Sequence, residues 1–227
     1  MTAAPHAVDA RSRAYRTARA VSYLLNPLVF PPIGLALVHA HAGPPPAGAA
    51  LLAALVTLAV GAVFYCFVPL GYIVRLVRSG AAESLEVRDR ITRLRPLAVS
   101  IASYAVGAVA LAATVDGPAR PLILTFAVAF PLNTIGLLAI TRRWKISLHL
   151  SSLAGFVAVQ GYAAWTLPAA GALTLSAASV ALLLPLLPLL MWARVRSGAH
   201  TPAQVVAGAA YGALVPLAEF LLVVGGP

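Results

Sequence analysis

The constraint that dominates this chain is a succession of apolar runs, each about 20 residues long, separated by short polar or Pro/Gly-rich breaks. A run of that length matches a helix crossing the bilayer's hydrocarbon core, about 30 Å thick. Roughly seven such runs follow one another, and in lipid a backbone must satisfy its own hydrogen bonds, which a helix does. With 227 residues, 61% of them hydrophobic, and a mean hydropathy of +0.91, the chain carries more apolar surface than a soluble domain could bury. The expectation is an all-α, polytopic membrane bundle of about seven transmembrane helices. Residues 1–19 read as a basic cytoplasmic arm and 20–227 as a single transmembrane helical domain, with no internal repeat.

The first run, Ala20 to about His39, contains Asn26, Pro27, Pro31 and Pro32 and predicts a kinked or broken span. Ala40-His41-Ala42 has the form of a signal-peptidase site, but the run is long for a signal peptide and reads as a retained span. A second run, Ala50 to Val74, leads into the largest polar segment, residues 75–96. Pro96 opens a third run to Val115, and Asp116, Gly117 and Pro118 turn it into a fourth, Pro121 to Ile140. The fifth runs from Leu148 to Trp165, and the sixth, Leu173 to Ala193, should kink at Pro185 and Pro188. In the seventh, Ala203 to Val224, Gly208 and Gly212 are spaced for close helix contact.

The formal charge is +10, from 16 Lys and Arg against 6 acidic residues, and Lys145 is the only lysine. In a chain this hydrophobic, basicity points to membrane orientation and anionic ligands, not to nucleic acid. With seven spans, fifteen of the sixteen cations fall on one face and only Arg120 lies opposite. The positive-inside rule then places the N-terminus and the three polar loops in the cytoplasm and the C-terminus outside. Cys66 is the single cysteine, so no intramolecular disulfide exists, and its mid-span position reads as packing.

Three spans begin on the loaded face with legible starts: Arg95 before Pro96, Ser147 as a candidate N-cap, and Thr201 before Pro202. Helix N-termini carry partial positive charge and unpaired N–H groups, and arginines beside them make an anion site, for which phosphate is the obvious ligand. The motifs agree. Residues 88–96, RDRITRLRP, resemble the KxxxxxxRP motif of the type 2 phosphatidic acid phosphatase family, with Arg88 in the lysine position. Residues 146–149, ISLH, resemble its PSGH, keeping Ser147 and His149; residues 194–204 resemble its SRxxxxxHxxxD, with Arg194 and His200 at the family interval and Gln204 in place of the aspartate. The resemblance spans roughly residues 70–225.

That resemblance implies a metal-independent lipid phosphatase with no cofactor, acting on a membrane phospholipid or isoprenyl (di)phosphate. His200 would be the nucleophile that forms a phosphohistidine, and His149 the general acid and base. Arg88, Arg95, Lys145, Ser147 and Arg194 would hold the phosphate, with Arg90 and Arg93 as further substrate contacts or topology-setting charges. A lipid phosphotransferase using the same chemistry, or a non-catalytic lipid-phosphate binder or transporter, fits the same residues. Gln204 has two candidate roles: hydrogen-bonding His200, or closing a T-x-x-Q capping box with Thr201. Glu83, Glu86 and Asp89 recur at intervals of three and read as a solvated helix face paired with arginine, or alternatively as a metal-bound diphosphate site. Asn133 and Gln160 read as interhelical or lipid-head contacts, His39 and His41 as interfacial, and Glu219 as near enough to the C-terminal end to reach water. No feature specifies an oligomeric state.

Overall fold

The computed structural model describes residues 12–41, 48–117, 120–166 and 170–225, and all regular structure among them is helical. The helices are α1 (Arg13–Leu24), α2 (Phe30–His41), α3 (Ala49–Ala62), α4 (Val68–Arg78), α5 (Leu94–Thr114), α6 (Arg120–Arg143), α7 (Leu148–Thr166), α8 (Ala170–Leu183), α9 (Leu186–Arg196) and α10 (Pro202–Val223). Six stretches are long and apolar enough to cross a membrane: Arg13–Val38, Leu51–Arg78, Leu94–Thr114, Arg120–Arg143, Ala177–Arg196 and Pro202–Val223. The nineteen residues of α7 reach about 28 Å, and twelve of them are buried, so it is the enclosed helix around which the others stand. The chain is a multi-pass membrane bundle of about seven spans, as its apolar runs require.

Four features of the spans each have a local reason, and the first departs from the sequence expectation. Helix α1 begins at Arg13, inside the stretch read as a basic arm, because Ser12 Oγ accepts from Tyr15 N at 3.2 Å and caps it. The first span is broken, not bent: after Leu25, Asn26 Oδ1 accepts from Leu28 N at 3.0 Å and starts a 3₁₀ turn, Pro27–Val29, ahead of α2. Helices α3 and α4 form one continuous span through a π turn at Val63–Phe67. That turn presents buried Tyr65, whose hydroxyl donates to Ala127 O at 3.1 Å. The sixth run divides into α8 and α9 at Leu184-Pro185, where proline supplies no N–H to continue the ladder. Arg13, Arg16 and Arg19 therefore belong to the first span's helix, and residues 1–11, with His39 and His41 as side chains, lie outside the described set.

The core between α2, α5 and α6 is aromatic. Tyr65 stacks on Tyr104 with ring centroids 5.1 Å apart, and Phe130 meets both edge-on. Two polar residues of the spans find each other: Asn133 Nδ2 in α6 donates to Glu219 Oε2 in α10 at 2.7 Å, while Tyr211 donates to the Asn133 carbonyl at 3.0 Å. Gln160 is fully buried in α7.

Helices α7 and α10 run parallel at backbone contact. A Cβ at Gly208 would lie 2.5 Å from Ser147 O, one at Gly212 would lie 2.0 Å from Ser151 O, and one at Gly155 would meet Gly212 O at 3.0 Å. Small residues one turn apart on both helices thus remove the side chains that would separate them. The Gly212→Ala variant is expected to destabilise the protein by about 1–3 kcal/mol, because a rigid backbone oxygen occupies the added methyl's position. Gly71→Ala, where nothing lies within 4 Å, should be neutral or mildly stabilising. Thermal unfolding of both variants in detergent checks the contrast.

Candidate functional site

The ends of α9 and α10 build one side of the site. Helix α9 stops in a Schellman motif: Gly198, at φ +67°, donates N–H to Val195 O at 3.0 Å, and Ala199 N–H donates to Arg194 O at 3.1 Å. His200 N–H donates to the same Arg194 carbonyl at 3.1 Å, so the nucleophile candidate is tied by backbone to the arginine six residues earlier. Thr201 then caps α10, its Oγ1 accepting from Gln204 N at 3.4 Å. The three residues between Ser197 and Thr201 therefore reverse the chain and leave His200 facing inward, buried.

Gln204 performs both roles that its sequence position allows. Its Oε1 accepts from Thr201 N at 3.2 Å, closing the capping box, and lies 3.1 Å from His200 Nδ1. The backbone N–H can only donate, which fixes the oxygen of the amide toward Thr201. An oxygen in that place requires His200 Nδ1 to carry the proton, so Nε2 holds the lone pair. Burial, then the charges of Arg93, Arg194 and Lys145, push His200 down to about 2 against the opposing effect of the Gln204 bond. The imidazole is neutral across the physiological range, with its nucleophilic nitrogen free.

Helix α7 supplies the second histidine. Ser147 starts the helix with Oγ accepting from Leu150 N at 3.5 Å, and its own N–H donates to Gln204 O at 3.2 Å across to α10. His149 is buried, bonds to the backbone of Ser22 in α1, and leaves Nε2 without a partner. Just before the helix, Lys145 Nζ donates to Ala199 O at 2.8 Å. Burial and the charges of Arg93, Arg194 and Arg88 lower Lys145 to about 8.

The third contribution is the loop between α4 and α5, and here the sequence reading needs correction. Glu83, Glu86 and Asp89 do not share a helix face, because residues 79–93 are bends and turns. Glu86 is buried and bridges two arginines: Arg194 Nη1 donates to Oε1 at 2.7 Å and Arg88 Nε to Oε2 at 2.8 Å. Burial alone would raise its carboxyl, but Arg194 and Arg88 outweigh that and hold it below the ordinary range. The next residue, Val87, has φ +41°, the one left-handed residue other than glycine among those described. A β-branched residue there stores strain, so the surrounding contacts hold it in place.

Those contacts come from Arg93, not Arg95. Arg93 is buried, with Nε on Val87 O at 3.0 Å, Nη1 on Ile146 O at 3.3 Å and Nη2 on Glu86 O at 3.5 Å. Its burial and the charge of Arg194 lower it to about 10, still protonated at neutral pH. Arg95 sits in the first turn of α5, exposed, with no hydrogen bond or ion pair. Helix α5 starts at Leu94, two residues ahead of the proline expected to open it, and this turns Arg95 outward. Arg90 is also structural: it donates to the carbonyls of Thr141 and Arg142, capping the C-terminal end of α6.

The structure thus gathers Arg88, Arg93, Lys145, Ser147, His149, Arg194, His200 and Gln204 around Glu86, and leaves Arg90 and Arg95 outside. Arg88 and Arg194 pair with the Glu86 carboxylate, and Arg93 and Lys145 add their charge beside them. Five buried nitrogens on these residues have no partner: Arg88 Nη2, Arg194 Nε and Nη2, His149 Nε2 and His200 Nε2. Unsatisfied buried polar atoms are rare; the three on guanidiniums are charged donors whose chemistry suits anionic oxygens, and the His200 Nε2 lone pair belongs to the same cluster. Among the described residues no three His, Cys, Asp or Glu side chains converge as a metal site.

The molecule is therefore a multi-pass membrane bundle with a buried cationic cluster at the ends of three helices. Comparison with known protein families, characterised proteins and solved structures finds no match for the chain. The cluster makes its own prediction. Glu86→Gln leaves a fully buried Arg194 uncompensated and should destabilise the protein by about 3–5 kcal/mol, whereas Glu86→Asp, which keeps the charge, should cost less. Melting temperatures measured in one detergent check the order.

Proposed function

We propose that the protein is a metal-independent lipid phosphatase, similar in chemistry to the type 2 phosphatidic acid phosphatases. The observation that carries this reading is the set of three unpartnered guanidinium donors on Arg88 and Arg194 in one cluster with the unpartnered Nε2 atoms of His149 and His200. Phosphoryl transfer asks a protein mainly for positioning and for charge around the equatorial oxygens, and planar guanidinium donors provide both. The Arg194 Nε and Nη2 pair can grip two oxygens together, and Arg88 Nη2 a third.

In this scheme a proton that enters on the phosphate monoester passes to His149 Nε2, His200 Nε2 attacks phosphorus, the P–O bond to the lipid breaks, and His149 hands that proton to the departing alkoxide. Nδ1–H stays on Gln204 Oε1, and the developing imidazolium is stabilised by the phosphoryl group it now carries. Water then attacks the phosphohistidine as His149 takes its proton, the P–N bond breaks, and His200 returns to its neutral tautomer with free phosphate released. A lipid alcohol in place of water would make the same site a phosphotransferase. The Ser147 hydroxyl and the N-terminus of α7 add dipole at the same place.

The distribution of cations supports an orientation. Counted along the sequence on seven spans, fifteen of sixteen fall on the site's side, which favours a cytoplasmic site and N-terminus and an external C-terminus. A reporter that works only outside the cytoplasm, fused after Pro227, should be active; activity only of a cytoplasmic reporter would reverse the orientation.

Phosphate release from a panel of lipid phosphates in EDTA tests the chemistry. His200→Ala should lower release by at least about a thousandfold and His149→Ala by about 10²–10⁴. Arg194→Ala should abolish it, while Arg95→Ala, removing an exposed side chain, should leave it near wild type. Equal, negligible release by wild type and His200→Ala across the panel would leave a binder in place of an enzyme.

A further inference from the structure

Behind the cationic cluster the bundle contains a cavity. Glu86, Arg93 and His149 line it at one end, and Tyr104, Phe126 and Phe220 at the other. Along α7 it runs from His149 to Val159, about 15 Å at 1.5 Å per residue. Its walls come from α2, α5, α6, α7 and α10 and are mostly aliphatic and aromatic. Arg88, Lys145, Arg194 and His200 do not line it, so His149 stands between the apolar space and the rest of the cluster.

An apolar corridor whose polar end carries the unpartnered imidazole of His149 and the guanidinium of Arg93, with the rest of the cationic cluster beyond them, is complementary to a hydrocarbon chain ending in a strong anion. We propose that this cavity draws the tail of a single-chain lipid monophosphate into the interior of the bundle. The proposal rests on the phosphate-site reading above. The order of groups supports it: tail in the cavity, ester oxygen at His149, phosphorus at Arg194, nucleophile at His200.

One chain enters because one corridor passes His149, and its depth limits the chain's length. Ala129 sets that limit on α6: it is buried, lines the cavity and lies one turn from both Phe126 and Asn133. A phenylalanine there would fill the deep half, while removing the Phe126 ring would extend it.

The experiment uses full-length protein in nanodiscs, with butyl phosphate, dodecyl phosphate and a dodecyl chain ending in a pyrene ring. Binding is read as the rise in melting temperature and chemistry as phosphate release. Wild type is expected to bind and turn over dodecyl phosphate and to reject the pyrene-ended chain. Ala129→Phe should lose at least about tenfold on dodecyl phosphate with butyl phosphate unchanged, and Phe126→Ala should accept longer chains than wild type. A tail left in the bilayer is indifferent to its far end, so equal behaviour of plain and pyrene-ended chains in wild type and both variants overturns the proposal while leaving the phosphatase reading intact. Stabilisation of wild type but not Ala129→Phe by dodecyl phosphate, with no release from either, keeps the tail site and overturns the phosphatase.

Discussion

A guanidinium with no exposure to solvent, that of Arg194, is the group to which this end of the molecule is fitted. Removing an ion from water costs several kcal/mol even after relaxation, and the cost is met only by a close counter-charge with good geometry. Glu86 is that counter-charge. To bring it there, the loop after α4 accepts a left-handed Val87, and Arg93 fastens the strained turn to the carbonyl of Ile146. Ile146 precedes Ser147, which starts α7 and donates to the first turn of α10. A single buried charge therefore propagates constraint through three chain segments far apart in sequence. The same constraint leaves buried guanidinium nitrogens of Arg88 and Arg194 with nothing to bond.

The parallel packing of α7 on α10 sets the level at which the two histidines meet. Contacts of Gly208 with Ser147 and of Gly212 with Ser151 repeat one turn apart, so the helices advance together from the site face. Their N-termini open side by side, with His149 on one and Thr201 and Gln204 on the other. Without side chains between them, neither helix can slide or rotate without a backbone clash, which gives a site made from two helix ends the rigidity of a single element.

Much of this was legible in the sequence, and the reasons for the rest are specific. Apolar runs gave the bundle and its approximate spans, the Thr201-Pro202 start gave the α10 cap, and the glycine spacing gave the close contact. Arg95 misled because Pro96 looks like a first helical residue; α5 in fact begins at Leu94, and residues two apart on a helix diverge by about 200°, so Arg93 and Arg95 cannot both face inward. Glu86 was hidden by a period of three that means a helix face only where there is a helix, and the segment is a string of turns. A sharper signal was available: an acid between two arginine-rich stretches has a local reason to be buried with them. The pairing of Asn133 with Glu219 joins positions 86 residues apart and follows from helix arrangement alone.

Gln204 sharpens what the arrangement requires of its chemistry. A carboxylate beside His200 would hold the ring's Nδ1 proton and also stabilise the ring once positively charged. The amide does only the first, because its oxygen, anchored by the Thr201 N–H, accepts that proton's hydrogen bond without contributing charge. The site's carboxylate sits instead at Glu86, among the arginines. The consequence is a division of labour: the capping box of α10 selects the tautomer of His200, and Glu86 moderates the positive field that would otherwise make a cationic ring there still harder to form. In the proposed phosphoryl transfer the charge that steadies the imidazolium has to arrive with the substrate, which a phosphate monoester supplies and an uncharged ester does not.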